Sequence, residues 1–321
     1  MEIPEKVRLT AASRGETGRA WLADLPQRVA DLERRWAIKV GRSYRHASEA
    51  FVAEARRTDD GQDEGQEAVL KIVIPGFDPT RQELCTLRAA HGKGYATLIR
   101  ADEDENTLLL EKLGAQLHEL GLPADKQIEI ICATLREAWI TLPAVSEVSP
   151  LSTGAEKAVE LARMIESESR ARRKLGSEKP CSERAIDLAL SYAERRRRAF
   201  DPGQSVLVHG DAHEWNTLCA PGSATGFKFV DPDGAYAERA FDLAISMREW
   251  GAVIPSGDLL HMGRRRCRLL AEFSGVEPKP IWEWGMIQCV SNGLTLMRIG
   301  LVAAASVPLA MADAWTADGE L

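Results

Sequence analysis

Val206-Leu-Val-His209-Gly210-Asp211-Ala-His213-Glu214-Trp215-Asn216 is the stretch on which the reading of this chain turns. An apolar, β-branched run ends in a glycine-hinged loop. That loop carries an acid at Asp211 and an amide five residues later at Asn216. The next short apolar run, Phe227-Lys-Phe-Val230, is closed by a second acid, Asp231. A lone His-Gly-Asp is an ordinary turn aspartate. Strand, His-Gly-Asp-x-x-x-x-Asn, short strand, loop, and a strand ending in Asp form a set that chance rarely assembles.

Outward from that stretch, the chain has two characters. From Gly15 to Arg35, Trp21, Leu22, Leu25, Val29 and Leu32 recur at helical steps. The runs 36–40, 49–56 and 68–74 then read as strands, with a polar turn at 59–65. Asp78 as N-cap and Pro79 at the first helical position open a helix that stops near His91-Gly92. Two further strands are expected near 95–100 and 107–111. After Gly114 the spacing is helical almost throughout: 115–120, 125–142, 155–175, 182–200, and again from Ala240 onward. The basic run Arg195–Arg198 reads as a solvated last helical turn, favoured by the helix dipole.

Composition narrows the classes. The chain has 321 residues, 45% hydrophobic and 28% charged, with a net charge of -7. That balance describes a soluble globular protein and disfavours nucleic acid or an anionic membrane as partner. It is compatible with a cationic substrate. Six cysteines stand apart without a Cys-x-x-Cys pair, which speaks for free thiols in a reducing compartment. The first residues have no apolar core, and the run Ile299–Ala312 is too short to cross a bilayer and contains Pro308. A cytoplasmic location is expected.

The acid, amide and acid match what phosphoryl transfer from ATP requires. Asp211 suits orientation and deprotonation of an acceptor hydroxyl. Asn216 and Asp231 suit Mg²⁺, which takes hard oxygen ligands and keeps part of its hydration. Lys71, inside the apolar strand Val69–Val73, reads either as a solvent-face lysine or as a phosphate ligand paired with Glu83 on the following helix. His209, Asp211 and His213 also form an H-x-D-x-H string, which a metallohydrolase could use. His46, His91, His118 and His261 are scattered, so further ligands are lacking. His209 reads better as a support for the Asp211 backbone.

On these residues the chain resembles the aminoglycoside phosphotransferase family, and within it the streptomycin 6-phosphotransferase and hydroxyurea kinase group. Val208–Asn216, Phe229–Ala244, Met247–Trp250, the Lys71 strand and the Leu108–Gly114 strap carry the resemblance. It implies an α+β, bilobal protein-kinase-like fold. Its small antiparallel-sheet N-lobe with one main helix would span 1–110, with 1–35 as a helical extension. A hinge at 111–114 would lead to a larger, mainly helical C-lobe at 115–321.

The resemblance implies Asp211 as catalytic base, Asn216 and Asp231 as metal ligands, and ATP phosphate contact at Lys71 with Glu83. It implies adenine contacts near Glu111–Leu113 and a buttressing role for Asp242. The phosphate-covering loop Gly41–Ser48 has one glycine, so Ser43 and Ser48 would have to serve there. No long insert follows Asp231, so protein substrates are not expected.

The expected acceptor is a small, cationic, hydroxylated molecule. An aminoglycoside-type antibiotic is foremost, streptomycin above others, and hydroxyurea or another hydroxylated metabolite is the alternative. Glu214, Trp215, Asp233, Glu238, Glu249, Trp250, Glu283 and Trp284 are the candidates for holding it, the last two equally readable as helix surface and core. No obligate protein partner is evident. A nucleotide-binding module without transfer activity is the reading of a different class, motivated by the glycine-poor loop.

Overall fold

The computed structural model describes residues 2–45, 47–58, 65–76, 79–141, 151–175, 181–248 and 256–317. His46, Asp78, Glu249 and Trp250, with most of the turn at 59–65, lie outside the described residues. The chain divides into two compact units, Met1–Gly114 and Ala115–Leu321.

The first unit opens with two helices, α1 (Glu5–Ser13) and α2 (Gly15–Trp36). α1 has no counterpart in the sequence reading. Its apolar positions are few, and its helicity depends on packing against α2. That packing is close: a Cβ on Gly18 would lie 1.8 Å from the Ala11 carbonyl oxygen. Five strands follow in the order β1-β2-β3-β5-β4: β1 (Ile38–Ser43), β2 (Ala50–Arg57), β3 (Glu67–Val73), β4 (Leu98–Asp102) and β5 (Thr107–Glu111). All neighbours are antiparallel.

Alternation sorts β3 by face. Ala68, Leu70 and Ile72 are buried in one cluster with Trp21, Leu25, Val29 and Leu32 of α2 and Val7 and Ala11 of α1. Lys71, one residue out of phase, belongs to the opposite face. α3 (Pro79–Ala90) supplies its partner, and the chain leaves that helix through His91 and Gly92, both at positive φ.

The second unit is mainly helical. A 3₁₀ turn (Leu117–Leu120) precedes α4 (Ala124–Ala138), α5 (Gly154–Leu175), α6 (Glu183–Arg198), α7 (Ala240–Arg248), α8 (Leu259–Ser274), α9 (Pro278–Arg298) and α10 (Val302–Trp315). α4 stops short of the expected 142 because the chain turns extended at Trp139, and Ile140 bridges Leu207. Pro308 lies inside α10, and Gly300 separates it from α9. α9 is buried on all sides from Ile281 to Ser291, the mark of a central helix.

Two small sheets sit among these helices. One has the order β6-β10-β7, made of β6 (Ser152–Thr153), β10 (Ala235–Ala237) and β7 (Val206–Val208). The other is the hairpin β8 (Thr217–Cys219) and β9 (Phe227–Phe229). All three β7 residues are buried. Burying side chains of that size stabilises by about 1.5–3 kcal/mol each, which fixes the end of β7 where the His-Gly-Asp loop begins.

Candidate active site

Asp211 is positioned by backbone bonds made before and after it. β7 pairs with β10, Val208 opposite Ala235, and the next rung is Gly234 N–H to the His209 carbonyl at 3.0 Å. Gly210 then turns at φ 87°, and a Cβ there would lie 3.0 Å from the Asp233 Cβ. Glycine is required on both counts. The turn is held from beneath by Asp242, fully buried in the first turn of α7. Its Oδ2 accepts from the His209 N–H at 3.0 Å and Trp139 Nε1–H at 2.9 Å, and its Oδ1 accepts from the Gly210 N–H at 2.7 Å. Burial pushes this carboxyl up to about 6, against the pull of those three donors.

His209 is buried and spent on the loop. Asp211 N–H donates to Nδ1 at 3.1 Å, and Nε2 donates to the Val230 carbonyl at 2.9 Å. A donor at one nitrogen and an acceptor at the other define the neutral Nε2–H tautomer. Burial agrees, lowering its pKa to about 4. His213 is used likewise: Nδ1 accepts from the Trp215 N–H at 3.2 Å, and Nε2 lies 3.2 Å from Asp211 Oδ2. The His209, Asp211, His213 string therefore offers no open histidine nitrogens. Among the described residues, no three His, Cys, Asp or Glu side chains converge as a metal cage.

The other carboxylate oxygen of Asp211, Oδ1, accepts from Arg248 at 2.5 Å. Burial acts to raise the Asp211 pKa, but the His213 hydrogen bond and the Arg248 charge outweigh it and hold the carboxyl below the usual carboxylate range. Asn216 donates its Nδ2 to the Asp211 carbonyl at 3.1 Å, which leaves its Oδ1 to face elsewhere. The β8–β9 register brings Asp231 to Asn216: Thr217 pairs with Phe229, and Val230 N–H donates to the Asn216 carbonyl at 3.0 Å. Asp231 is exposed and has φ 54°, a left-handed backbone in a non-glycine residue.

In the first unit, Lys71 Nζ lies 2.9 and 2.8 Å from the two carboxylate oxygens of Glu83, which is 3% exposed. Ser43 ends β1 and donates its hydroxyl to the Glu2 carbonyl at 2.8 Å. Ser48 is exposed. The Glu111 carboxylate accepts from Thr97 N–H and Oγ1–H. Leu113 follows β5 outside any helix or strand and is half-buried.

The acceptor candidates divide. Trp215 is 45% exposed and stacks on His118, ring centroids 3.4 Å apart. Glu214 is half-buried and Asp233 exposed. Glu238, Glu283 and Trp284 are engaged with the protein itself. Glu283, 1% exposed, pairs with Arg195 and Arg196 at 2.6 Å each, and Glu238 accepts from Trp284 Nε1–H at 2.8 Å. The basic run is accordingly split: Arg195 and Arg196 face these acids, while Arg197 and Arg198 pair with Glu194 on the same helix. Arg248 and Trp139 were not singled out from the sequence. A signal for Arg248 existed, because α7 carries only two charges, Asp242 and Arg248, in an otherwise uncharged helix.

Comparison with known proteins supplies the family. The profile described as aminoglycoside/hydroxyurea antibiotic resistance kinase matches residues 40–300. The streptomycin 6-kinase of Streptomyces glaucescens is 28% identical over 98% of this chain and 97% of its own length. The hydroxyurea phosphotransferase of Kitasatospora aureofaciens is 27% identical over 98% of this chain and 85% of its own. Among solved structures, a choline kinase from Cryptosporidium parvum superposes with a TM-score of 0.60 at 10% identity, covering 90% of this chain and 94% of that one. Two-unit architecture, the loop centred on Asp211 and a profile spanning most of the chain lead to one conclusion: the chain belongs to the aminoglycoside/hydroxyurea antibiotic resistance kinase family and is a phosphotransferase of protein-kinase-like fold.

Proposed function

We propose that this enzyme transfers the γ-phosphoryl group of ATP to a hydroxyl of an aminoglycoside-type antibiotic, streptomycin foremost, and so inactivates it. The observation that carries the reading is the Asp211 carboxylate. It is ionised, fixed at both oxygens, and set on a loop with Asn216, beside which the β8–β9 hairpin brings Asp231. An ionised carboxylate with a lone pair left on each oxygen accepts the hydrogen of an alcohol, orients its oxygen for attack, and takes the proton as the new bond forms.

Asn216 Oδ1 and the exposed Asp231 carboxylate are hard oxygen donors and fit Mg²⁺, whose remaining ligands would be phosphate oxygens and water. Bound there, the ion would neutralise charge on the transferring phosphate. Lys71, oriented by Glu83, is assigned to the nucleotide phosphates. The backbone at Glu111 and Leu113 is assigned to adenine, and the loop containing Ser43 and Ser48 to the phosphate cover. Streptomycin carries guanidinium groups, which suit Glu214, Asp233 and the exposed Trp215 ring.

A second acceptor, hydroxyurea, is supported by the relative of nearly equal identity that bears its name. ADP release measured across streptomycin, other aminoglycosides and hydroxyurea, with mass spectrometry of the product, decides between them. One acceptor gaining one phosphate is the expected result. Asp211→Asn should lower kcat by about 10²–10⁴. Near-normal turnover in that variant would remove Asp211 from its assigned role, and no product from any acceptor would leave a nucleotide-binding module.

A further inference from the structure

Gln288 is a polar side chain in the part of α9 that is buried on all sides. It is 4% exposed, flanked by Ile287 and Cys289, both fully buried. An amide in such surroundings is costly unless it is hydrogen-bonded, and packing alone gives no reason for one. Its Oε1 accepts from Arg248 NH1 at 2.9 Å. The other arm of the same guanidinium, NH2, donates to Asp211 Oδ1 at 2.5 Å. The Arg248 side chain is 17% exposed, so the pair is largely shielded from solvent screening. A continuous relay runs from the core helix α9, through Gln288 and Arg248, to the carboxylate assigned to the acceptor hydroxyl.

We infer that Arg248, braced by Gln288, is a positioning residue for Asp211. It holds the plane of that carboxylate so that one lone pair of an oxygen points to the acceptor. Two grips on opposite oxygens, Arg248 on Oδ1 and His213 on Oδ2, stop rotation about the Cβ–Cγ bond. A planar guanidinium with separate arms does this in a way an ammonium does not, since it binds glutamine and aspartate at once. The relay also explains why an arginine closes α7, an otherwise buried helix whose only other charge, Asp242, supports the same loop from the opposite side. Positioning of this kind shows in turnover more than in nucleotide affinity, because a misplacement of about 1 Å costs on the order of 10²-fold in rate.

This inference rests on Asp211 being the acceptor-side carboxylate, and the test separates the two. Arg248→Ala should lower kcat by about 10–100-fold with the KM for Mg·ATP changed less than about twofold. Guanidinium chloride at millimolar concentration should restore part of that turnover, while sodium chloride should not. Arg248→Lys and Gln288→Leu should give intermediate losses, and they carry the test should Arg248→Ala fail to fold. A folded Arg248→Ala protein with unchanged kcat, or a loss that guanidinium does not relieve and that comes with a raised KM for Mg·ATP, would overturn the positioning role. If the wild-type protein phosphorylates no acceptor, the functional reading fails and the inference is still decided by crystal structures. In Arg248→Ala or Gln288→Leu the Asp211 carboxylate should leave its wild-type orientation, and an unmoved carboxylate would overturn the proposal.

Discussion

At the scale of single residues, the site keeps a strained backbone where an easier one is available. Asp231 sits at φ 54° although a glycine would adopt that conformation freely. Holding an L-residue in the left-handed region costs roughly 1–2 kcal/mol, less for Asp than for most. The strain is understandable if the carboxylate is needed at that place. Asp231→Gly should therefore keep or raise the melting temperature by about 1–3 °C while lowering kcat/KM at least about 10²-fold. Calorimetry beside steady-state kinetics checks this, and a clear loss of thermal stability would mark Asp231 as a structural residue instead.

Single residues also show what the sequence could and could not convey. Asp211, Asn216 and Asp231 stand out because their spacing is local and the turn chemistry is written next to them. Glu238 looks the same as Glu214 in sequence. Its engagement depends on Trp284, 46 residues away, and Arg196, 42 residues away, and nothing in the local pattern announces either.

At the scale of elements, the strands of the first unit were legible because alternation is strong and each is bounded by turns. β6 and β10 were not, since two or three residues carry no period, and their pairing is a consequence of β7 already being in place. Apart from α1, the helical stretches were legible from apolar spacing, but the order of their contacts was not. α9 is buried on every side from Ile281 to Ser291, so its sequence points to no single neighbour. Glycines supply what periodicity lacks. A Cβ at Gly285 would lie 2.9 Å from Met247 Cβ, so α9 and α7 touch closely one residue before Arg248. A Cβ at Gly293 would lie 2.5 Å from Leu309 Cγ, which marks the approach of α9 to α10.

Overpacking costs typically about 1–3 kcal/mol, and the helix preference of alanine returns about 1 of it. Gly285→Ala and Gly293→Ala should thus both lower stability modestly in urea titrations. Only Gly285→Ala should also lower kcat, because it moves the helix that carries Arg248 and Asp242. Equal kinetics in the two variants would show that α7 tolerates displacement without disturbing Asp211.

At the scale of the whole molecule, the six cysteines are separated by long intervals; all six are free and four of them are buried. That has a consequence for stability against pH. Cys132 in α4, Cys181 before α6 and Cys267 in α8 come from three separate parts of the second unit, and burial pushes each thiol up to about 12. In the unfolded chain they would ionise near about 8.5. Above that pH the unfolded state releases protons that the folded state retains, so unfolding becomes easier as pH rises. The contribution is fully present below about 8.5 and is lost progressively toward about 12, at roughly 1.4 kcal/mol per thiol per pH unit. The three together steepen the alkaline decline by about 4 kcal/mol per unit. Urea unfolding at several pH values from 8 upward, in wild type and in the separate variants Cys132→Ala, Cys181→Ala and Cys267→Ala, isolates each term. Every variant starts from a lower stability, because a buried side chain has been shortened, yet its decline with pH should be shallower by about 1.4 kcal/mol per unit. Parallel declines in all four proteins would mean that these thiols reach solvent and ionise in the folded state.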